Sequence, residues 1–149
     1  MKVRSLAVLT SNGSVTVEFI LLFPFIMAML YASAVYGIIF FAKYQMQDAV
    51  DRAVAAALHV DRSAYAADEI TAAVKSRAGD ALAGLKEDLP GPLVGDCTTK
   101  PIGGIEMVVC SLTYPSFSSN PIVPSLNFGW LGKFPPLPES LDVSARAAF

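Results

Sequence analysis

The chain has 149 residues, enough for one small domain, and 54% of them are hydrophobic, with a mean hydropathy of +0.50 that is high for a soluble protein. Its formal net charge is only -2, and beyond Ala42 nine basic residues face twelve acidic ones, spread singly rather than in runs. That pattern leaves no nucleic-acid footprint.

The apolar surplus is concentrated near the N-terminus. From Phe19 to Ala42 there are 24 residues without a formal charge, at least the roughly 20 needed to cross a hydrocarbon core about 30 Å thick. This predicts a membrane helix. Lys2 and Arg4 precede it with no acid before Glu18, so the positive-inside rule keeps the short N-terminus in the cytoplasm and sends the remainder outward. The span does not end in a turn: "KYQMQDAVDRAVAAALHVD" continues without Pro or Gly. Met46, Val50, Ala53, Val54, Ala57 and Leu58 fall on one helical stripe, with Gln45, Asp48, Arg52, Ala55 and His59 on the other face. One continuous helix from about Val15 to Val60 would be roughly 70 Å long, its first half in lipid and its second packed on a domain. Pro24 removes the hydrogen bond to the carbonyl of Ile20, which predicts a kink or local melting there.

Asp61, Arg62 and Ser63 break the periodicity. A second, amphipathic helix is expected from about Asp68 to Leu89, with Ile70, Val74, Ala78, Ala81, Leu82, Leu85 and Leu89 in register, stopped by Pro90 and Gly91. Beyond Gly91 the signals are those of a sheet. In "IEMVVCSLTY" Val108, Cys110, Leu112 and Tyr114 share one face, and in "LDVSARAAF" Leu141, Val143, Ala145, Ala147 and Phe149 alternate with Asp142, Ser144 and Arg146. If "IGGI", Ile102 to Ile105, is a four-residue hairpin loop, a third strand precedes these two, Pro101 faces Glu106 and Cys97 faces Cys110. Both cysteines fall on the predicted outer side, where an oxidising compartment lets them pair as a disulfide; two unpaired buried thiols are the alternative. Pro115 to Ser140 is a long connection rich in Pro, Ser and aromatics. It is either a loop packed over the sheet, with Phe117, Phe128 and Trp130 filling its underside, or a surface for docking a partner.

The fold class that follows is membrane-anchored α+β: a long N-terminal helix, transmembrane over about residues 19–42 and kinked near Pro24, a second amphipathic helix, and a small antiparallel sheet of two to four strands carrying a long Pro-rich loop. Catalytic material is scarce. His59 is the only histidine and lies on the polar side of its helix, two cysteines with one distant histidine do not make a zinc site, and phosphate-loop, dinucleotide and nucleophile-elbow motifs are absent. The chain reads as no enzyme, with no catalytic residues, no metal and no cofactor.

Three readings compete for residues 1–42. A plain anchor would cap its helix with Ser11 or Asn12 and seat Glu18 in the lipid headgroups. A secretory signal would use Ile20 to Leu30 as its apolar core and the "ASA" of Ala32 to Ala34 as its cleavage site. That cut leaves the apolar "VYGIIFFAKYQ" as a new N-terminus. The third reading starts from Gly13. A cut after it would free an amine at Ser14, one helical turn before Glu18.

Here "G-S-V-T-V-E-F" resembles the prepilin signal, a glycine followed after four residues by glutamate and phenylalanine, with a short basic leader in front. The spacing of Gly13, Val17, Glu18, Phe19 and Pro24 looks like the N-terminal motif of the TadE-like (TadE/TadF) minor pseudopilins of tight-adherence, or Flp-type IV, pilus systems. The resemblance continues into "DAVDRAVAAALHVD" and, less specifically, into the valine-rich strand and the alanine-rich last strand. It implies processing between Gly13 and Ser14 by a prepilin peptidase, with Glu18, Phe19 and Pro24 serving assembly. Ser14 departs from type IV pilins, where a methylatable phenylalanine is usual.

The resemblance further implies a cytoplasmic leader over residues 1–13, a long helix over 14–61 and an extracytoplasmic α+β domain over 62–149. The protein would be held by one pass in the cytoplasmic (inner) membrane, with a possible place in the pilus. Its implied partners are the prepilin peptidase, other minor pseudopilins, the major pilin, the inner-membrane pilus platform and membrane lipid, with no nucleic acid. The implied role is pilus assembly, surface adhesion and biofilm formation. Ser33 and Gly37, spaced as a small-xxx-small pair, would let helices approach closely, or are ordinary membrane-helix composition. The alternative function is a single-pass anchored envelope module that binds a ligand through its disulfide-containing domain.

Overall fold

In the computed structural model the described residues are 12–66, 68–127 and 129–149. The expected leader, up to Ser11, lies outside them, as does Phe128. Helix α1 spans Asn12–Leu58, 47 residues, and stays helical through Pro24. It is followed by a 3-10 turn at Arg62–Ala64, helix α2 at Ile70–Glu87, strands β1 (Val94–Ile102) and β2 (Ile105–Tyr114), the short strands β3 (Leu126–Asn127) and β4 (Lys133–Phe134), and strand β5 (Leu141–Ala148). The expected break at Asp61 is a built feature. The Asp61 carboxylate accepts hydrogen bonds from the Ser63 amide at 3.0 Å and the Ser63 hydroxyl at 2.6 Å, capping the 3-10 turn.

The chain divides into two compact units, one ending at Ala34 and the other covering Val35–Phe149. In the first, no described side chain is buried. Phe19, Ile20, Leu21, Phe25, Met29 and Leu30 all face outward, on every side of the helix. Among the described residues α1 is the one helix long and apolar enough to span a membrane, with a mean hydropathy of 2.1 over its most apolar 18-residue window.

The second unit buries a continuous stripe of α1: Val35, Ile39, Ala42, Met46, Ala49, Val50, Ala53, Val54 and Ala57. Spacings of three and four residues keep these side chains on one face. Two expectations change here. Leu58 is 44% exposed and lies outside the stripe. Val35, Ile39 and Ala42, expected in lipid, are buried inside the second unit. An apolar side chain serves a protein core and a bilayer equally well, so hydropathy does not tell the two apart along the helix.

Helix α2 buries Val74, Ala78 and Leu82, the centre of its expected apolar face, and packs against β1 and β2. The three-stranded antiparallel sheet has the order β1-β2-β5. Along β2, Val108, Cys110, Leu112 and Tyr114 are buried, as are Leu141 and Val143 of β5, while Asp142, Ser144 and Arg146 are exposed. Alternation at period two therefore gives one core face and one wet face. The Gln47 amide donates to the carbonyl of Ser144 at 3.3 Å, tying α1 to the β5 edge.

The β1–β2 hairpin has the expected register, Pro101 opposite Glu106 and Cys97 opposite Cys110, but its loop is shorter than the four residues expected. Ile102 pairs with Ile105, leaving Gly103 and Gly104 as a two-residue turn at φ +61° and +81°. Positive φ at both central residues matches the strand twist, and glycine adopts it without a Cβ clash. Cys97 and Cys110 are joined as a disulfide, and both are buried. Replacing the pair by serine is expected to lower the stability of the folded unit by about 3 kcal/mol through the freed unfolded chain. Urea denaturation with and without reductant checks this, and reductant should bring the wild type down to the variant.

At the end of β2 the Tyr114 ring occupies the space a side chain at Gly91 would need, and Gly91 sits at φ +101°. The chain therefore passes under the ring at the one residue type that fits. The wet face supplies a pH-sensitive pair. Ser140 and Thr113 donate to the Asp142 carboxylate at 2.7 and 2.8 Å and hold its pKa below the ordinary 3.8. A depressed folded-state pKa adds stability above the unfolded value and loses it as pH falls through the folded one. NMR titration should place the Asp142 midpoint below 3.8, and Ser140→Ala should move it back up.

Candidate processing and assembly site

The residues implied in processing and assembly all lie on the first turns of α1. Gly13 and Ser14 are within the helix backbone, close to its start at Asn12. Glycine lowers local helix propensity by about 1 kcal/mol relative to alanine.

Glu18 follows Ser14 by four residues, one turn further on the same face. Its side chain is exposed, and with Val17, Leu21 and Leu22 it lines a shallow apolar hollow on the helix surface. It is the only charged residue between Val15 and Ala42. Phe19 is exposed next to it and stacks in tilted fashion on Phe23, one turn on, with ring centroids 5.8 Å apart. Pro24 is also exposed. The structure thus leaves Glu18, Phe19 and Pro24 exposed on the surface of α1.

The remaining chemistry is sparse. His59 is exposed at the C-terminal end of α1, on the rim of an open polar hollow lined also by Asp61, Tyr65, Glu69, Arg77 and Asp80. Among the described residues no three of His, Cys, Asp and Glu converge to hold a metal ion. Arg52 and Asp48 form an ion pair at 2.9 Å on the α1 surface, worth well under 1 kcal/mol at such exposure.

The long connection after β2 differs from expectation. Phe117 is wholly buried and does fill the underside of the loop, its amide donating to the carbonyl of Glu139 at 2.7 Å. Trp130, expected beside it, is 92% exposed. The loop folds back on itself instead, pairing Leu126 with Phe134 and Asn127 with Lys133, with Trp130 in the 3-10 turn at the tip. The hairpin's return strand is fastened to α1, because the Tyr36 hydroxyl donates to the carbonyl of Pro136 at 3.0 Å. No sequence signal joins two residues a hundred positions apart.

Compared with known families, residues 13–55 match the family model described as TadE-like protein. The match begins at Gly13, covers the exposed apolar part of α1 with Glu18, and runs into the buried stripe. No curated protein and no solved structure matches the chain.

Proposed function

We propose, from the premise that residues 13–55 are TadE-like, that the chain is a minor pseudopilin-like component of a tight-adherence pilus machine. It would be made as a membrane precursor, cut after Gly13 by a prepilin peptidase, and needed for pilus assembly and surface adhesion. The observation that carries this reading is Glu18: a lone carboxylate, exposed, in the apolar part of α1 before Val35, where no described side chain is buried. A charge in that setting costs up to about 3 kcal/mol at a helix centre, less near the edge, and a partner offsets it.

Cleavage supplies the partner. The new amine at Ser14 of a neighbouring subunit would meet the Glu18 carboxylate at the same membrane depth. A cut there would also make Ser14 the N-terminus of the helix, with Glu18 close to its positive end, where a carboxylate is favoured. Assembly would then be conditional on processing, with the domain beyond the membrane held outside the cytoplasm and the disulfide formed there.

N-terminal sequencing and intact-mass measurement of protein from its native membrane test the proposal. The expected mature chain starts at Ser14. A start at Val35 would indicate a secreted protein and the intact precursor a plain anchor, and either result overturns the pseudopilin reading.

A further inference from the structure

We propose that the β3–β4 hairpin seats in the headgroup layer of the bilayer that α1 crosses, with Trp130 as its anchor. This rests on α1 being a membrane span. The tip is built unlike a soluble loop. By sequence the stretch 126–134, "LNFGWLGKF", holds five large apolar residues and one charge, Lys133. Trp130 is 92% exposed and Leu126 46% exposed, and Lys133 is exposed beside them. An exposed indole and an amphipathic cation are side chains that prefer the boundary between hydrocarbon and water.

The position of the hairpin along the chain selects lipid over other occupants. Its return strand leads at once into Pro135, which is buried, and Pro136, whose carbonyl is held by Tyr36. Tyr36 is only two residues beyond Ala34, where the outward-facing apolar stretch gives way to the second unit. The hairpin is therefore tethered to the first turn of the folded unit, next in sequence to the span itself. The same turns of α1 repeat the signature on their uncovered side: Phe40, Phe41 and Tyr44 are exposed, with Lys43 among them. Two separate parts of the second unit, the hairpin and the turns of α1 that follow Tyr36, thus present aromatic side chains and a lysine. The single positive charge at the tip suits anionic headgroups.

Trp130 is the only tryptophan, so its fluorescence reports on this hairpin alone. The full chain, placed in nanodiscs of zwitterionic and anionic lipid with both faces open, should emit to the blue of free tryptophan amide and lose most quenching by acrylamide. Lipids brominated near the carbonyl end of the chain should quench it more strongly than lipids brominated at the methyl end. Lys133→Glu should restore acrylamide quenching in anionic discs while leaving α1 inserted. Emission like that of free tryptophan amide, open to acrylamide and untouched by bromolipids, overturns the proposal. So does a blue shift that appears only when a partner protein is added. Resistance to alkaline carbonate extraction, measured on the same protein, keeps the two readings apart: failure there removes the span itself, whereas a resistant protein with a water-exposed Trp130 removes only the hairpin's lipid contact.

Discussion

Glu18→Ala is expected to be cut after Gly13 and inserted in the membrane as the wild type is, yet to be lost from the pilus complex, with surface pili and adhesion falling together. The carboxylate stands alone among the uncharged residues from Val15 to Ala42 and points outward on α1. Removing it therefore leaves the fold of the second unit untouched, and insertion becomes slightly easier because the cost of a charge in an apolar segment disappears. What is lost is the intersubunit pair. A charge-assisted hydrogen bond contributes about 1.5–3 kcal/mol, so association should weaken on the order of ten- to a hundredfold at each contact. In a multi-subunit assembly that is enough to abolish incorporation.

The control is the conservative variant. Glu18→Gln keeps the shape and the hydrogen-bonding capacity but not the charge, and should fail nearly as badly as alanine. A block of cleavage at Gly13 should be non-additive with Glu18→Ala, because either change alone removes the same pair. Membrane fractionation, the mass of the mature chain and co-purification with the pilus complex together read the outcome. Normal piliation in Glu18→Ala would refute the pairing.

The sequence carries this site legibly because position does the work. A glycine, a glutamate five residues later and an apolar run starting at the next residue form a pattern that depends on no tertiary contact. Strands β2 and β5 are legible for the same reason, since alternation at period two survives in the sequence unaltered. The disulfide follows from pairing register, which a two-glycine turn and a nine-residue strand specify locally.

Other features depend on contacts that leave no periodic trace. The stripe through Val35, Ile39 and Ala42 lies inside a run that is apolar all round, so its protein-facing side cannot be told from its lipid-facing side. Strands β3 and β4 have two residues each, too few for a period to register. Trp130 reads as core by composition, because a tryptophan's large area favours burial. Its actual exposure follows from where the Tyr36 hydroxyl and the buried Pro135 fasten the base of the hairpin. Features that belong to one helix or one strand are thus legible in sequence, and the hairpin fastened to α1 through Tyr36 is not.

Phe117→Ala is expected to give the largest loss of stability among single changes in the folded unit, about 3–5 kcal/mol. The ring is wholly buried and meets the Tyr114 ring edge-on, with centroids 5.2 Å apart at 87°. Such pairs contribute about 0.5–1.5 kcal/mol beyond the area they bury. Truncation also undermines its neighbours. The Tyr114 ring covers Gly91, and its hydroxyl donates to the carbonyl of Asn120 at 2.9 Å. The Phe117 amide meanwhile closes the loop onto Glu139. Loss of the ring should therefore loosen both ends of the 115–140 connection at once, whereas loss of the disulfide loosens only the β1–β2 hairpin. The two should be separable by hydrogen exchange on the full chain in detergent. Phe117→Ala should accelerate exchange through β2 and β5 with the disulfide intact, and the urea midpoint should fall further than in the cysteine-free variant. Because no described side chain of α1 before Val35 is buried, membrane insertion and cleavage should be unchanged. A Phe117→Ala protein with the wild-type midpoint would mean that the loop, not the ring, holds the end of the sheet together.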